Sequence, residues 1–349
     1  MRLKKIFRKQ YWDLTGCIHN HTSYSFDCDV ALKNVIKAAK ENKLDYFTIN
    51  DHYNNNVKND PALKNDLGIH IIVGAEINDP DKNHHYLVFN SDEILSGKKV
   101  EEYVKFYKNV GAIGFIAHPY EKRSSRYFRK YLWKTDELLD VNGLEIWNYS
   151  SSWLGKLNPI TNGILMLIIP NIFVQKPLGK NIKLWERYQD NGKRISAIGS
   201  TDAHGTLISK GFIKFRVLTH RKVFAAIRTN VLIEDGKEIN KENILDSIKN
   251  GNSYIVNYKW GRPYNFYGGI ADPDGNGVIF GEEINWTEGL RYYFHLPCMA
   301  KIKLIKNGKK IASDINDKGW FEIKEKGRYR LEITRFNFGW IYTNYIYVI

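Results

Sequence analysis

The chain has 349 residues, 43% of them hydrophobic, which is enough for about two folded domains and excludes a disordered or low-complexity protein. Lys and Arg number 52 against 38 Asp and Glu, and the formal charge of +14 favours anionic ligands such as phosphate esters or nucleic acid. The basic residues are spread along the whole chain, so a general residue bias is an equal reading of that charge. Three cysteines, Cys17, Cys28 and Cys298, form no Cys-x-x-Cys pair, which excludes a disulfide framework and a zinc ribbon and fits a reducing compartment.

The first twelve residues are basic but lead into no apolar stretch, so no secretory signal is expected. The longest apolar run, Ile164–Val174, is broken by Pro170 and Asn171 and falls short of the roughly 20 residues that cross a bilayer. The expectation is a cytoplasmic protein with no membrane partner and an open oligomeric state.

In chain order, short apolar runs predict strands at Gly16–Asn20, Tyr46–Asn50, His70–Gly74, Tyr86–Asn90, Ile113–Ala117, Leu144–Trp147 and Ile195–Gly199. Amphipathic spacing between them predicts helices at Ala31–Glu41, Val100–Lys108, Asp136–Leu139, Ile182–Asp190 and Lys222–Arg228. This alternation is the pattern of βα units, either a (β/α) barrel or a related open sheet. His19 and His21, one residue apart, would share a face if a strand carries them, and so could grip one metal ion. Asp51-His52, Glu76, His118 and the pair Asp202 and His204 each follow an apolar run. In barrels the chemistry gathers at those carboxyl ends.

Beyond about residue 262 the period changes to two. Ile302 and Leu304 alternate with Lys301 and Lys303, Asn307-Gly308 offers a type I′ turn, and a second turn falls at Lys326-Gly327. The expected organisation is an α/β barrel domain over residues 1–261 and a small antiparallel β-sandwich over 262–349. Asp272 to Gly277, with Glu283 after it, literally satisfies the EF-hand expression, but its flanks are not helical and a Gly-rich turn is the better reading.

These separated motifs, in this order, resemble the PHP (polymerase and histidinol phosphatase) family of metal-dependent phosphoesterases. The resemblance covers most of the first 260 residues and implies a distorted (β/α)7 barrel. Residues 262–349, ending in Gly339-Trp340-Ile341-Tyr342-Thr343-Asn344, resemble the β-domain of a branch that includes a carbaryl hydrolase. Residue by residue, the resemblance implies nine metal ligands: His19, His21, Asp27, His52, Glu76, His85, His118, Asp202 and His204. It places His19, His21, Glu76 and Asp202 on one metal, Glu76, His85 and His118 on a second, and Asp27, His52 and His204 on a third. Nine ligands exceed one tetrahedral ion, so two or three divalent ions are expected, and zinc, manganese and iron all suit this donor set. The sequence departs from the family at Cys17, where an acidic residue often stands, and at Asn50-Asp51-His52 in place of Thr-Asp-His; either change can alter the groups that orient His19 and His52.

The implied chemistry is attack on phosphorus by a metal-bound hydroxide, with His52 or His204 as the proton donor to the leaving oxygen. Lys122, Arg123 and Arg126, with Arg129 and Lys130, are candidates for the substrate phosphate; Lys122, Arg126, Arg129 and Lys130 share a face if the stretch is helical. The substrate would be a small phosphate ester, a nucleotide or an oligonucleotide, possible partners including single-stranded nucleic acid. Two rivals stand beside this: a carbamate, carboxyl-ester or amide hydrolase using the same nucleophile, and a non-catalytic module binding nucleic acid or glycan. Tyr149 to Lys180 carries no readable chemistry and is a candidate lid.

Overall fold

A computed structural model describes residues 1–64, 68–210 and 213–349. The chain divides into two compact units: one of residues 16–182 and 199–228, the other of 1–15, 183–198 and 229–349. The second unit therefore takes in three stretches that precede residue 262, so the division is not the single cut at 261 that the change of period suggests.

The first unit is built on a closed seven-strand barrel with helices. Its strands are β1 (Lys9–Asn20), β2 (Tyr46–His52), β3 (His70–Ile77), β4 (Tyr86–Phe89), β5 (Ile113–Ile116), β6 (Gly143–Asn148) and β7 (Ser196–Ala203). β1 pairs in parallel with β2, β2 with β3, β5 with β6, and β7 returns to β1. β4 runs antiparallel to both neighbours, which is the distortion of the barrel. It follows β3 after a short loop with no room for a crossover helix, so an antiparallel return is the only connection available. Close approach within the sheet requires glycine at Gly74 and Gly114, among others. A Cβ on Gly74 would lie 2.3 Å from the Val88 carbonyl oxygen, and one on Gly114 would lie 1.9 Å from the Tyr86 hydroxyl.

Helices α1 (Leu32–Glu41) and α2 (Val100–Asn109) pack on the barrel with Leu32, Val35, Ile36 and Val100, Tyr103, Val104, Tyr107 buried, as their spacing predicts. After β6 come α3 (Tyr149–Leu154) and α4 (Gly163–Ile168), and α5 (Gly179–Asp190) precedes β7; α5 from residue 183, β1 before residue 16 and β7 before residue 199 are counted with the second unit. Two predicted helices differ. Asp136–Leu139 is irregular, being one turn too short to nucleate. Over Lys222–Arg228 only a turn, His220–Val223, is helical, and a strand starts at Ile227. The β-branched run Ile227 to Ile233 prefers the sheet.

The second unit is largely antiparallel, with one parallel pair between Glu283–Ile284 and Ile346–Val348, and is dense with aromatic and β-branched residues. β8 (Ile227–Glu234), α6 (Lys241–Asn250), β9 (Ser253–Asn257) and β10 (Tyr267–Ala271) lead into β11 (Arg291–Lys306) and β12 (Lys309–Glu322), then β13 (Gly327–Arg335) and β14 (Phe338–Thr343). Asn307 and Gly308 both have positive φ, 47° and 78°, as the type I′ turn between β11 and β12 requires. The turn before Gly327 does not make a hairpin of its neighbours. β13 instead pairs with β11, Lys301 against Thr334 through Lys306 against Tyr329. Ile302, Leu304, Leu331, Ile333, Trp340 and Ile341 form the centre of its core.

Candidate metal centre

The carboxyl ends of the barrel strands bring all nine sequence-predicted ligands together. His19 ends β1, and His21 lies just past it; both are fully buried, with ring centroids 5.1 Å apart. Plain strand alternation is not what aims them. His19 has φ 66°, and the β1–β7 register shifts between Ile18 and Asn20, so a local bulge turns the pair inward. His118, with φ 26°, and Asp202, with φ 51°, are also left-handed non-glycine residues. Such backbone costs about 1–3 kcal/mol each and persists where surroundings over-determine it.

Glu76, near the end of β3, is the hub. Its Oε2 lies 3.0 Å from His19 Nε2, 3.2 Å from His21 Nε2 and 3.6 Å from His52 Nε2. Its Oε1 lies 2.6 Å from His85 Nδ1 and 3.3 Å from His118 Nε2. Asp202 Oδ1 stands 3.6 Å from His19 Nε2, 3.4 Å from His21 Nε2 and 3.4 Å from His204 Nδ1. Asp27 Oδ2 stands 3.3 Å from His52 Nε2 and 3.1 Å from His204 Nε2. Among the described residues, three groups have ligand atoms all within 4.8 Å of one another: His19, His21, Glu76 and Asp202; Glu76, His85 and His118; and His21, Asp27, His52 and His204. The third group differs from the implied set by adding His21.

The electrostatics are those of a proton-filled cation site. Burial would lower the pKa of His118, but the Glu76 and Glu121 carboxylates outweigh it and hold the ring up at about 9. Burial likewise lowers His19, His21 and His52, and the facing Glu76, Glu145, Asp202 and Asp27 carboxylates raise all three above the ordinary value. The same imidazoles hold Glu76, Asp202 and Asp27 below the usual carboxylate range against the opposing effect of burial. For His85 burial wins and its pKa falls.

The donor set fits divalent cations. His21 Nδ1 and Nε2, His52 Nδ1, His85 Nε2 and His118 Nδ1 are buried without a hydrogen-bond partner, a costly state unless something else binds them. His21 Nε2 and the Glu76 oxygen are 3.2 Å apart without hydrogen bonding, whereas two ligands about 2.1 Å from one tetrahedral zinc stand about 3.4 Å apart. No thiolate joins in. Cys17 lies against the carbonyls of Phe224 and Ile227 with its pKa pushed to about 12 by burial, and Cys28 donates to the His204 carbonyl. Imidazole and carboxylate suit zinc, manganese or iron.

Several supporting groups lie outside the ligand set that the sequence implies, Glu145 among them, which the sequence alone leaves open between pointing to the site and sitting at a strand end. Glu145 on β6, fully buried, bonds His19 Nδ1 at 2.7 Å through Oε1 while its Oε2 accepts from the His118 backbone N–H at 2.8 Å and from Asn148 Nδ2 at 2.9 Å. Such a carboxylate fixes tautomer and ring orientation. Its only sequence signal is a carboxylate inside an otherwise apolar strand, Gly143 to Trp147. Asn50 accepts from Thr48 Oγ1, which accepts the His19 N–H, so the departure at position 50 does touch the support of His19, while Cys17 does not. Asp51 is not among the ligand groups; it accepts from the Thr22 N–H and hydroxyl and so shapes the turn after His21. His220 donates its Nε2–H to the His21 carbonyl at 2.9 Å and, being buried, is depressed to about 3. His84 pairs with Asp79 at 2.6 Å, which leaves His85 as the residue of that pair facing Glu76.

The basic stretch after His118 is an irregular loop, not a helix, so the shared helical face of Lys122, Arg126, Arg129 and Lys130 does not exist. Arg123 is spent on the loop itself: it pairs with Glu121 at 2.7 Å and donates to the carbonyls of Lys122 and Arg129. Lys122 and Arg126 are exposed. The EF-hand-like segment is a closed turn, with both Asp272 carboxylate oxygens taken by Asn276.

Residues 18–151 match the PHP domain, the stretch that supplies His19 through His118 and Glu145. No curated protein sequence matches significantly. Similar solved structures include a two-domain protein from Bacteroides vulgatus containing a predicted PHP-like metal-dependent phosphoesterase, 16% identical over 99% of both chains with TM-score 0.49. A protein of Bifidobacterium adolescentis assigned as a metal-dependent phosphoesterase is 13% identical over 66% of this chain and 94% of its own, TM-score 0.40. Endonuclease Q, in complex with a 27-mer duplex bearing an abasic lesion, is 12% identical over 74% of this chain and 63% of its own, TM-score 0.44. None of these bears on the carbaryl-hydrolase branch. No helix among the described residues is long and apolar enough to cross a membrane.

Proposed function

We propose that the protein is a metal-dependent phosphoesterase whose ions are held by His19, His21, Asp27, His52, Glu76, His85, His118, Asp202 and His204. The observation that carries this is Glu76, a buried carboxylate with five imidazoles around its two oxygens, several of whose nitrogens have no other partner. Bound divalent ions would supply an acidified water at neutral pH and neutralise charge on the phosphoryl oxygens.

The chain's own residues supply the rest. Glu145 orients His19 and, through the His118 N–H, fixes the strained end of β5. His204, the most exposed ring of the cluster, and His52 both stand beside Asp27 and are the proposed proton donors to the leaving oxygen. Phe26, 78% exposed, stacks on His52 at 5.0 Å, and the Tyr131 ring lies 4.8 Å from His85, so a flat leaving group has an aromatic surface beside the reacting phosphorus. Exposed Lys122 and Arg126 are the remaining candidates for a substrate phosphate, which favours phosphate over acyl substrates; the place of action proposed is the cytoplasm, in keeping with three free cysteines.

The test is a screen of aryl phosphomonoesters, phosphodiesters, nucleotides, carboxyl esters and carbamates with and without chelator. Chelator-sensitive turnover of a phosphate ester is expected. Turnover confined to carbamates or esters would move the protein to the acyl-hydrolase reading, and binding of nucleic acid without turnover would make it a binding module.

A further inference from the structure

From Ile146 to Trp185 the sequence contains no Asp or Glu, while lysines stand at 156, 176, 180 and 183. Within this stretch the structure turns an apolar face outward. Ile160 is 80% exposed, Ile164 77% and Ile168 71%, and Leu165, Ile169 and Ile172 are exposed beside them. The segment is nevertheless anchored. Met166 and Val174 are fully buried, the Trp153 indole donates to the Met166 carbonyl, and Tyr149 bonds Asn171. The outward isoleucines are therefore presented by a fixed underside rather than left over from a missing core. Monomers rarely expose contiguous apolar patches of this kind unless something covers them.

The charge around the patch says what that partner is. Lys156 and Lys176 are exposed at its two ends. Ser124 donates to the Gly155 carbonyl at 2.7 Å, which holds the basic loop of residues 122–130 beside Lys156. That loop adds exposed Lys122, Arg126, Arg129 and Lys130. An apolar strip flanked by cations and devoid of carboxylates matches an anionic lipid surface, whose acyl boundary takes the side chains while its headgroups take the lysines. The strip also lies at the metal-site end of the barrel, because α3 starts from Asn148, which bonds Glu145, and Ser150 bonds the Asp202 carbonyl.

We propose that residues 156–180 are a docking surface for an anionic bilayer, so that the protein works as a peripheral protein of the membrane face. This departs from the sequence-based expectation of no membrane partner, which rested on the lack of a spanning segment, and it stands independently of the phosphoesterase reading. Co-sedimentation of the full chain with vesicles of equal parts phosphatidylcholine and phosphatidylglycerol, and with pure phosphatidylcholine, tests it. Binding to the mixed vesicles is expected, weakened about tenfold or more on the neutral ones. The double change Ile164→Asp with Ile168→Asp should abolish binding, and Lys156→Glu with Lys176→Glu should remove the preference for the charged vesicles, both with an unaltered melting temperature because the residues are exposed. No sedimentation with either vesicle would overturn the proposal. So would binding that is equal on both vesicles or indifferent to the isoleucines, or a dimer in sedimentation velocity that the Ile164→Asp, Ile168→Asp chain no longer forms, since a second copy would then be what covers the patch.

Discussion

Each unit of this protein buries a cluster of charged side chains, and the two clusters are built to opposite ends. In the second unit Arg330 has its guanidinium matched on every side: Glu186 at 3.1 Å, Glu332 at 2.7 Å and the Tyr345 hydroxyl at 3.0 Å, with Arg328 on the other Glu186 oxygen. Every nitrogen of the Arg330 guanidinium is thereby bonded, and Arg328 Nε is the one atom of the group left without a hydrogen-bond partner. At the barrel mouth carboxylates and imidazoles are just as buried, yet five ring nitrogens have no hydrogen-bond partner, among them His21 Nε2 where it faces Glu76 and Asp202, and three ligand residues sit in strained backbone. A closed network fixes a fold, whereas an open one is a receptor. The difference distinguishes structural from functional burial without reference to any relative.

Breaking each network should therefore give different losses. Glu76→Gln, His19→Ala or Asp202→Ala should cut turnover by about 1,000-fold or more and strip bound metal, with the circular dichroism of the folded chain retained. Arg330→Ala should do the reverse. It takes the Arg330 guanidinium from Glu186, which keeps Arg328 and the Tyr345 hydroxyl, and from Glu332, and should cost about 3 kcal/mol in urea unfolding, with metal content and kcat/KM unchanged. If Arg330→Ala abolished turnover at unchanged stability, the contrast would fail.

Metal removal sharpens the same line. Chelation should lower the unfolding free energy by about 3 kcal/mol relative to protein at a hundredfold excess of metal over Kd, read from the urea midpoint. Because the metal-free cluster keeps His118 protonated up to about 9, metal uptake must expel protons. Affinity should then rise with pH below that value and fall in acid, which calorimetry in buffers of different ionisation enthalpy would detect as proton release. Glu145→Gln should weaken metal affinity by about 10–100-fold without removing a ligand, and should alter the pH dependence of binding, which a purely structural role would not. The smallest effects belong to the loop. Lys122→Ala with Arg126→Ala should raise KM a few-fold at nearly constant kcat, while Arg123→Ala should cost stability and leave KM alone, since Arg123 is already paired with Glu121.

Much of the site was legible because ligands to a shared ion must recur at strand ends, and His-x-His, Asp-His, His-Pro and Asp-x-His are short enough to read directly. The strands were legible for a similar reason: buried strands are near-continuous apolar runs. What escaped was nonlocal. Glu145 looks like a chance acid in a strand until His19 and the His118 N–H are placed beside it. The antiparallel turn of β4, the pairing of β13 with β11 rather than β12, and the three stretches that the second unit recruits from before residue 262 all depend on partners distant in the chain. The condition that residues 122–130 be helical is not met, because charge spacing alone, with no apolar face to bury, does not hold a helix together.

The most direct measurement is an anomalous-scattering crystal structure of the chain reconstituted with zinc or manganese. The account predicts at least two anomalous peaks that share the Glu76 carboxylate, one also bonded to His19, His21 and Asp202 and the other to His85 and His118, at ligand distances of about 2.0–2.3 Å. Peaks elsewhere on the chain with none at Glu76, in crystals of protein that still turns over phosphate esters, would contradict it.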